Sequence, residues 1–298
     1  MLDASLSVYM TVYLYDERRW QKDDPSDYAD FLHGSVTDVV VLVYGARKGG
    51  VIGWKSRLID TAKPGKLQLL DFIKVMNKRG IRVHAAFQVC RVNRKSKFKA
   101  HSGRSKFVDV HNLKFQEFIT NLMSECAALP VHGICMDYIR TDDYSDAEKN
   151  DVSIESIVRQ AYQKIKLVNH KCIVSSTTAP YKDINHPQLL KTGRKAIRWA
   201  NNGYHDILFD MKYGGPKGKA GDPPDMGQVY EARKLTNVPI VAMIASYKKD
   251  VDGKPMPTDA AQFARVLNSV IDEDDIAIYT GWLFTEEQAL LVEQMYGY

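Results

Sequence analysis

The chain has 298 residues, 45% hydrophobic and 26% charged, enough to bury a large core as one barrel or two ordinary domains. No stretch approaches the roughly 18 uninterrupted apolar residues of a membrane helix, and the start of the sequence, with Asp3 and no basic flank, does not read as an export signal. A net charge of +5 is mild for this length, so what matters is where the basic residues gather.

Taken in chain order, strand-like runs fall at 8–15, 38–44, 81–89, 133–138, 172–177, 206–211, 239–244 and 275–279. Helical spacing lies between them. The stretch 66–79 puts Leu69, Leu70, Ile73 and Met76 on one face and stops at Gly80; 113–128 does the same with Phe115, Phe118, Ile119, Leu122 and Cys126. Phe263, Val266, Leu267 and Val270 mark a third helix and 286–295 a last one. Strand alternating with helix eight times predicts an α/β protein, a single (β/α)8 TIM barrel spanning residues 1–298, with no linker to a second domain. Cys90, Cys126, Cys135 and Cys172 stand far apart in apolar surroundings and read as core thiols of a reducing compartment, without metal-ligand spacing.

In such a barrel the chemistry sits on the loops that follow the strands. The segment from Gly133 to Tyr144, GICMDYIRTDDY, delivers Asp137, Tyr138 and Arg140 to the mouth of the fourth strand. An acid at a strand end can simply cap the next loop. Here the other strand ends add Tyr15, Asp16, Glu17 and Trp20 after the first, Asp210, Lys212 and Tyr213 after the sixth, Ser246, Tyr247 and Lys248 after the seventh, and Thr280 and Trp282 after the eighth. Paired carboxylates are the minimum equipment for glycoside hydrolysis. Asp137 and Asp210, two strands apart, are the expected pair: Arg140 favours an ionised Asp137 as nucleophile, and the apolar run Ile207, Leu208, Phe209 favours a protonated Asp210 as general acid. A carboxyl separation of about 5 Å would predict retention and one of about 6.5–9.5 Å inversion. The sequence leaves both open.

These residues resemble a family. GICMDYIR resembles the Gly-Ile-His-Leu-Asp-Tyr-Ile-Arg type of motif on the fourth strand of glycosyl-hydrolase-like barrel domains; GIRVHAAFQV, from Gly80, resembles that group's Gly-Ile-x-Val-His-Ala-Trp-Phe pattern; DILFDMKYG, from Asp206, is similar to its sixth strand. The matches cover about a tenth of the chain. The resemblance implies glycoside cleavage with Asp137 at its centre. Acids on strands four and six also match α-galactosidase and α-glucosidase barrels by position. Departures are Phe87 in a thinner aromatic run, Thr141 in place of Tyr-Pro, and a fifth strand ending in Ser175, Ser176 and Thr177 without a Glu.

The loop from Arg91 to Phe107 carries seven cations, among them Arg91 and Arg94, and no acid. Beside a catalytic rim it would gather an anionic polysaccharide of surface or capsular type in a salt-dependent way. Nucleic acid, with Phe98 and Phe107 as stacking rings, is the less favoured ligand, since no recognised module accompanies it. Tyr15, Asp16, Gln88, Tyr138, Arg140, Lys212, Tyr213, Tyr247 and Trp282 complete the expected substrate-binding set, the aromatics offering faces to sugar C–H groups. His84 is expected to be a hydrogen-bonded core residue, and no histidine pairing builds a metal site. The reading is a glycoside hydrolase of cytoplasmic or virion-associated location, with no cofactor, no membrane partner, and virion or homo-oligomer assembly open. A silent glycan-binding or virion-structural barrel and a phosphodiesterase on a phosphate-bearing polymer are the alternatives.

Overall fold

The computed structural model describes residues 10–14, 24–45, 53–59, 68–91, 98, 107–141, 146–178, 193, 195–213, 220–273, 275–279 and 283–296. Strands and helices alternate through them: β1 (Met10–Leu14), α1 (Pro25–Leu32), β2 (Asp38–Tyr44), α2 (Leu69–Lys78), β3 (Arg82–Gln88), α3 (Leu113–Ala127), β4 (Gly133–Asp137), α4 (Ala147–Val168), β5 (Ile173–Thr178), α5 (Ala196–Asn201), β6 (Ile207–Met211), α6 (Gly227–Arg233), β7 (Ile240–Ala245), a hairpin β8 (Tyr247–Lys249) and β9 (Pro255–Pro257), α7 (Ala260–Asn268), β10 (Ile276–Tyr279) and α8 (Glu286–Tyr296). Local chemistry sets several boundaries. Asp24, Asn112, Asp146 and Asp259 each accept a bond from a backbone N–H in the first turn of α1, α3, α4 and α7, and Gly80 follows α2 at φ +74, a conformation cheap only for glycine.

Apart from the hairpin the strands are parallel and pair in sequence order from β2 to β7, with β10 next to β7 and β1 hydrogen-bonded on one side to β10 and on the other to β2. The sheet therefore curls round on itself, and its two faces bury different residues. Val40, Leu42, Ala86, Cys135, Ile207, Phe209, Val241, Met243 and Ala277 pack together on the inner face. Val39, Val41, Val83, Ala85, Ile134, Met136, Val174, Leu208, Ala242 and Ile244 face the helices, against residues such as Phe72, Phe115, Ile157, Trp199 and Phe263. A register shift between Leu42 and Tyr44 puts Tyr44 on the helix side, 6.2 Å from the Phe87 ring and 6.3 Å from Phe118.

The N-terminal end of the inner face is sealed by a charged group. Asp38, fully buried, lies 2.8 Å from His84 Nε2 and 2.6 Å from Arg82, and accepts a bond from Thr37 at 2.6 Å. Burial alone would raise the Asp38 pKa, but the His84 hydrogen bond and the Arg82 guanidinium together hold it below the ordinary value. The expected core role of His84 is what its surroundings show. All four cysteines are buried and free. No helix among the described residues is long and apolar enough to cross a membrane.

Candidate active site

The mouth of the curled sheet, at the C-terminal ends of the strands, is built around Asp137. It is the last residue of β4 and lies level with Gln88 on β3. Alternation places it with Cys135 on the inner face, and it is 7% exposed. Its Oδ1 accepts two hydrogen bonds, from the Thr177 hydroxyl at 2.5 Å and from the Tyr138 N–H at 2.7 Å. Tyr138 has φ +52, the left-handed region that a bulky residue adopts only at a cost. Its carbonyl accepts from the N–H groups of Arg140 at 2.9 Å and Cys90 at 3.3 Å, which pins the bend to the neighbouring strand.

Two cations of the predicted set cover that ring. The Arg91 and Arg140 guanidinium carbons lie over Tyr138, 4.8 and 5.4 Å from its centroid, and Phe107 stands 6.5 Å away. Arg91 and Phe107 bridge to each other, so the two ends of the basic segment meet beside Tyr138. Phe98 packs instead on Phe115 and Phe118 of α3, at 5.6 and 5.4 Å. Gln88 also faces inward: a Cβ on Gly45 would come within 2.9 Å of its Oε1, so the glycine makes its room.

The opposite wall is aromatic. Tyr213 and Tyr279 lie 4.7 Å apart at an interplanar angle of 31°, and Tyr247 meets Tyr279 edge-on at 6.0 Å. Burial pushes the Tyr213 hydroxyl far up in pKa, and the field of Tyr279, Asp137, Tyr247 and Tyr138 adds to it; Tyr213 and Tyr279 pack against the same inner-face cluster as Cys135, two residues before Asp137. Tyr247 opens the β8–β9 hairpin, whose base is held to α8 by the Gln288 amide donating to the carbonyls of Ser246 and Thr258 at 2.9 and 3.0 Å.

Asp210 and Lys212 are not part of this mouth. Thr177 is level with Phe209 and Thr178 with Asp210, so Asp210 sits one residue out of phase with Asp137, and one residue in a strand reverses the side chain. Phe209, Met211 and Tyr213 take the inner face; Asp210 goes to the helix side with Leu208. The Lys212 ammonium accordingly donates to Gln228 of α6 at 2.5 Å. Asp210 is 1% exposed, and neither of its carboxyl oxygens has a hydrogen-bond partner among the described residues. Burial raises its pKa to about 8 against the opposing pull of Lys212 and Arg233, and Asp137 is not among the charges that reach it. The expected nucleophile and acid thus stand on opposite faces of the sheet. An apolar run before an acid marks burial equally well on either face, and only register separates the two.

Tyr15, Asp16, Arg94 and Trp282, with Glu17, Trp20, Asp142 and Thr280, lie outside the described residues. Sequence reasoning passed over Thr177 and Tyr279. Tyr279 could have been found by carrying the alternation of Ala277 one step further, and Thr177 by the pairing of β4 with β5. Among the described residues no group of three or more His, Cys, Asp or Glu side chains could hold a metal ion.

No family model and no curated protein matches this chain. Its fold is similar to those of enzymes that act on sugars. The PgaB (BpsB) glycoside hydrolase domain from Bordetella bronchiseptica aligns over 92% of this chain and 94% of its own at a TM-score of 0.66 and 10% identity. α-L-Fucosidase isoenzyme 2 from Paenibacillus thiaminolyticus aligns over 97% of this chain at 0.67 and 11% identity, this chain spanning 48% of its length. The α-amylase of Geobacillus thermoleovorans, complexed with acarbose, aligns over 96% and 77% of the two chains at 0.61 and 9% identity. At such identities the likeness is one of fold.

Proposed function

We propose that this protein is a glycoside hydrolase of (β/α)8 TIM-barrel type that cleaves a polysaccharide bearing anionic groups, with Asp137 as its nucleophile. The observation that carries the reading is the setting of Asp137: a buried carboxylate at the mouth of the inner face, oriented by two hydrogen bonds, flanked by a cationic wall and a tyrosine wall. Each wall matches one property of the substrate. Tyrosine faces receive the C–H faces of a pyranose, and the guanidinium groups of Arg91 and Arg140 stand where an acidic substituent would be drawn in. The likeness of fold to enzymes that act on sugars supports the glycan-cleaving part of this reading.

In the reaction, a carboxylate oxygen of Asp137 forms a bond to the anomeric carbon as the glycosidic C–O bond breaks, and the departing oxygen takes a proton from a second carboxylic acid. Asp210, on the far face of the sheet, does not supply that proton. Asp16 and Glu17 after the first strand and Asp142 after the fourth are the candidates for it. Water then releases the sugar from Asp137 with retained configuration.

The test sets wild type beside Asp137→Asn on polysaccharides bearing uronate, sialate or pyruvate groups and on neutral ones, reading reducing ends released. The substitution should lower kcat by about three orders of magnitude or more while the melting temperature holds. Undiminished turnover in Asp137→Asn, or no reducing ends from any polysaccharide with the wild type, would overturn the proposal. Equal cleavage of neutral polymers would remove its anionic part.

A further inference from the structure

We infer that Thr177 is a positioning residue, whose hydroxyl fixes the orientation of the Asp137 carboxylate for its attack on the sugar. The inference rests on the hydrolase reading and adds to it a residue.

Three observations converge on it. First, the pairing of β4 with β5 runs Cys135 with Ser175 and Met136 with Ser176, which brings Thr177 alongside Asp137. Alternation then selects this residue alone: Ser176, its neighbour, faces the helix side and binds the His205 ring at 2.9 Å, while Thr178 is level with Asp210. Second, Thr177 is itself 7% exposed, and its hydroxyl reaches Oδ1 at 2.5 Å. Third, the Tyr138 N–H arrives at the same oxygen at 2.7 Å, held there by the left-handed turn.

A carboxylate oxygen offers about two lone-pair sites, so two short bonds commit Oδ1. The torsion that turns a carboxyl group is otherwise broad, and two donors at fixed places remove that freedom. Attack needs the reacting atoms aligned at about 3–3.5 Å, and a carboxylate already turned spends no time searching for that geometry. The electron pair that bonds the anomeric carbon then comes from the Asp137 carboxylate as the glycosidic bond breaks. The Thr177 proton stays on its own oxygen throughout.

The experiment compares Thr177→Val, which keeps the shape and loses the hydroxyl, with Thr177→Ser, which keeps the hydroxyl, in the full chain on the polysaccharide that the wild type cleaves. Thr177→Val should lose about ten- to hundredfold in kcat with KM within about threefold, and Thr177→Ser should stay within about threefold of wild type in both. Wild-type kcat in Thr177→Val, a change confined to KM, or a serine variant as impaired as the valine one would overturn the inference. Should Thr177→Val not fold, Thr177→Ser and Thr177→Ala make the same comparison, since they differ only in the hydroxyl, and equal kcat in those two overturns it. Turnover by the wild type with a fully active Thr177→Val refutes this inference alone; no turnover by the wild type refutes the hydrolase reading and this inference with it.

Discussion

Replacing Asp210 by Asn should change how stability depends on pH, and should do so without disabling the active site. Burial raises the folded-state pKa of Asp210 from 3.8 to about 8. The folded protein therefore holds a proton there that the unfolded chain releases near its ordinary value, and the stability this gives is fully present below about pH 4 and is lost as pH rises through about 8. A shift of about 4 units at 1.36 kcal/mol each corresponds to a loss on the order of 5 kcal/mol across that window. In a chain of this size that is roughly 10 °C in melting temperature. Asn is nearly isosteric and does not ionise, so Asp210→Asn should lack that slope. Calorimetric melts of both proteins from pH 4 to 9 isolate the effect, because other groups cancel in the difference between them. The variant should gain on the wild type progressively from pH 4 to 8 and melt about 10 °C above its acid-side offset at pH 9. A difference that stays constant within about 2 °C across the range would refute the reasoning. Substrates with good and poor leaving groups provide a second check, since a true proton donor would be missed far more on the poor ones.

Two further outcomes follow from the packing. Gly133→Ala should be destabilising by about 1–3 kcal/mol, because the added Cβ would overlap the His84 ring and approach the Ile173 carbonyl oxygen to 2.8 Å; an unchanged urea midpoint would contradict this. The thiols of Cys90 and Cys172 are pushed up to about 12 by burial and Cys126 also lies well above its ordinary value, so the native protein at pH 8 should react with Ellman's reagent only as fast as it opens, whereas the chain in guanidinium exposes all four; rapid labelling of the folded form would show the thiols to be accessible.

Hydrophobic runs and punctuation located the elements well because burial on both faces leaves an unbroken apolar mark: 38–44 was expected and β2 is Asp38–Tyr44. Gly80 ended α2 as its backbone freedom suggested. The eightfold alternation predicted the parallel order that β2 to β7 adopt. What the sequence did not carry was phase. Asp137 and Asp210 each follow an apolar run, yet the side a residue faces depends on the register between neighbouring strands, which is a property of pairs. The same limit hid Thr177, whose role exists only because β5 lies one strand over from Asp137. The β8–β9 hairpin was missed for a different reason. Its strands are three residues each and rich in lysine and proline, too short and too polar to show a period.

The bend at Tyr138 has a consequence for moving this site elsewhere. A regular strand would send successive residues to opposite sides, one of the pair Asp137–Tyr138 inward and the other under the helices. The left-handed turn suspends that rule for one residue, so acid and aromatic both stand at the rim before Ile139, 3% exposed, returns to the interior. The octapeptide from Gly133 to Arg140 is thus only half of a transferable unit. Grafted onto a host strand without the Cys90 N–H to donate to the Tyr138 carbonyl and a hydroxyl in the place of Thr177, it would relax to ordinary alternation and bury the ring. The minimal portable piece is three adjacent strand ends, from β3, β4 and β5, taken together.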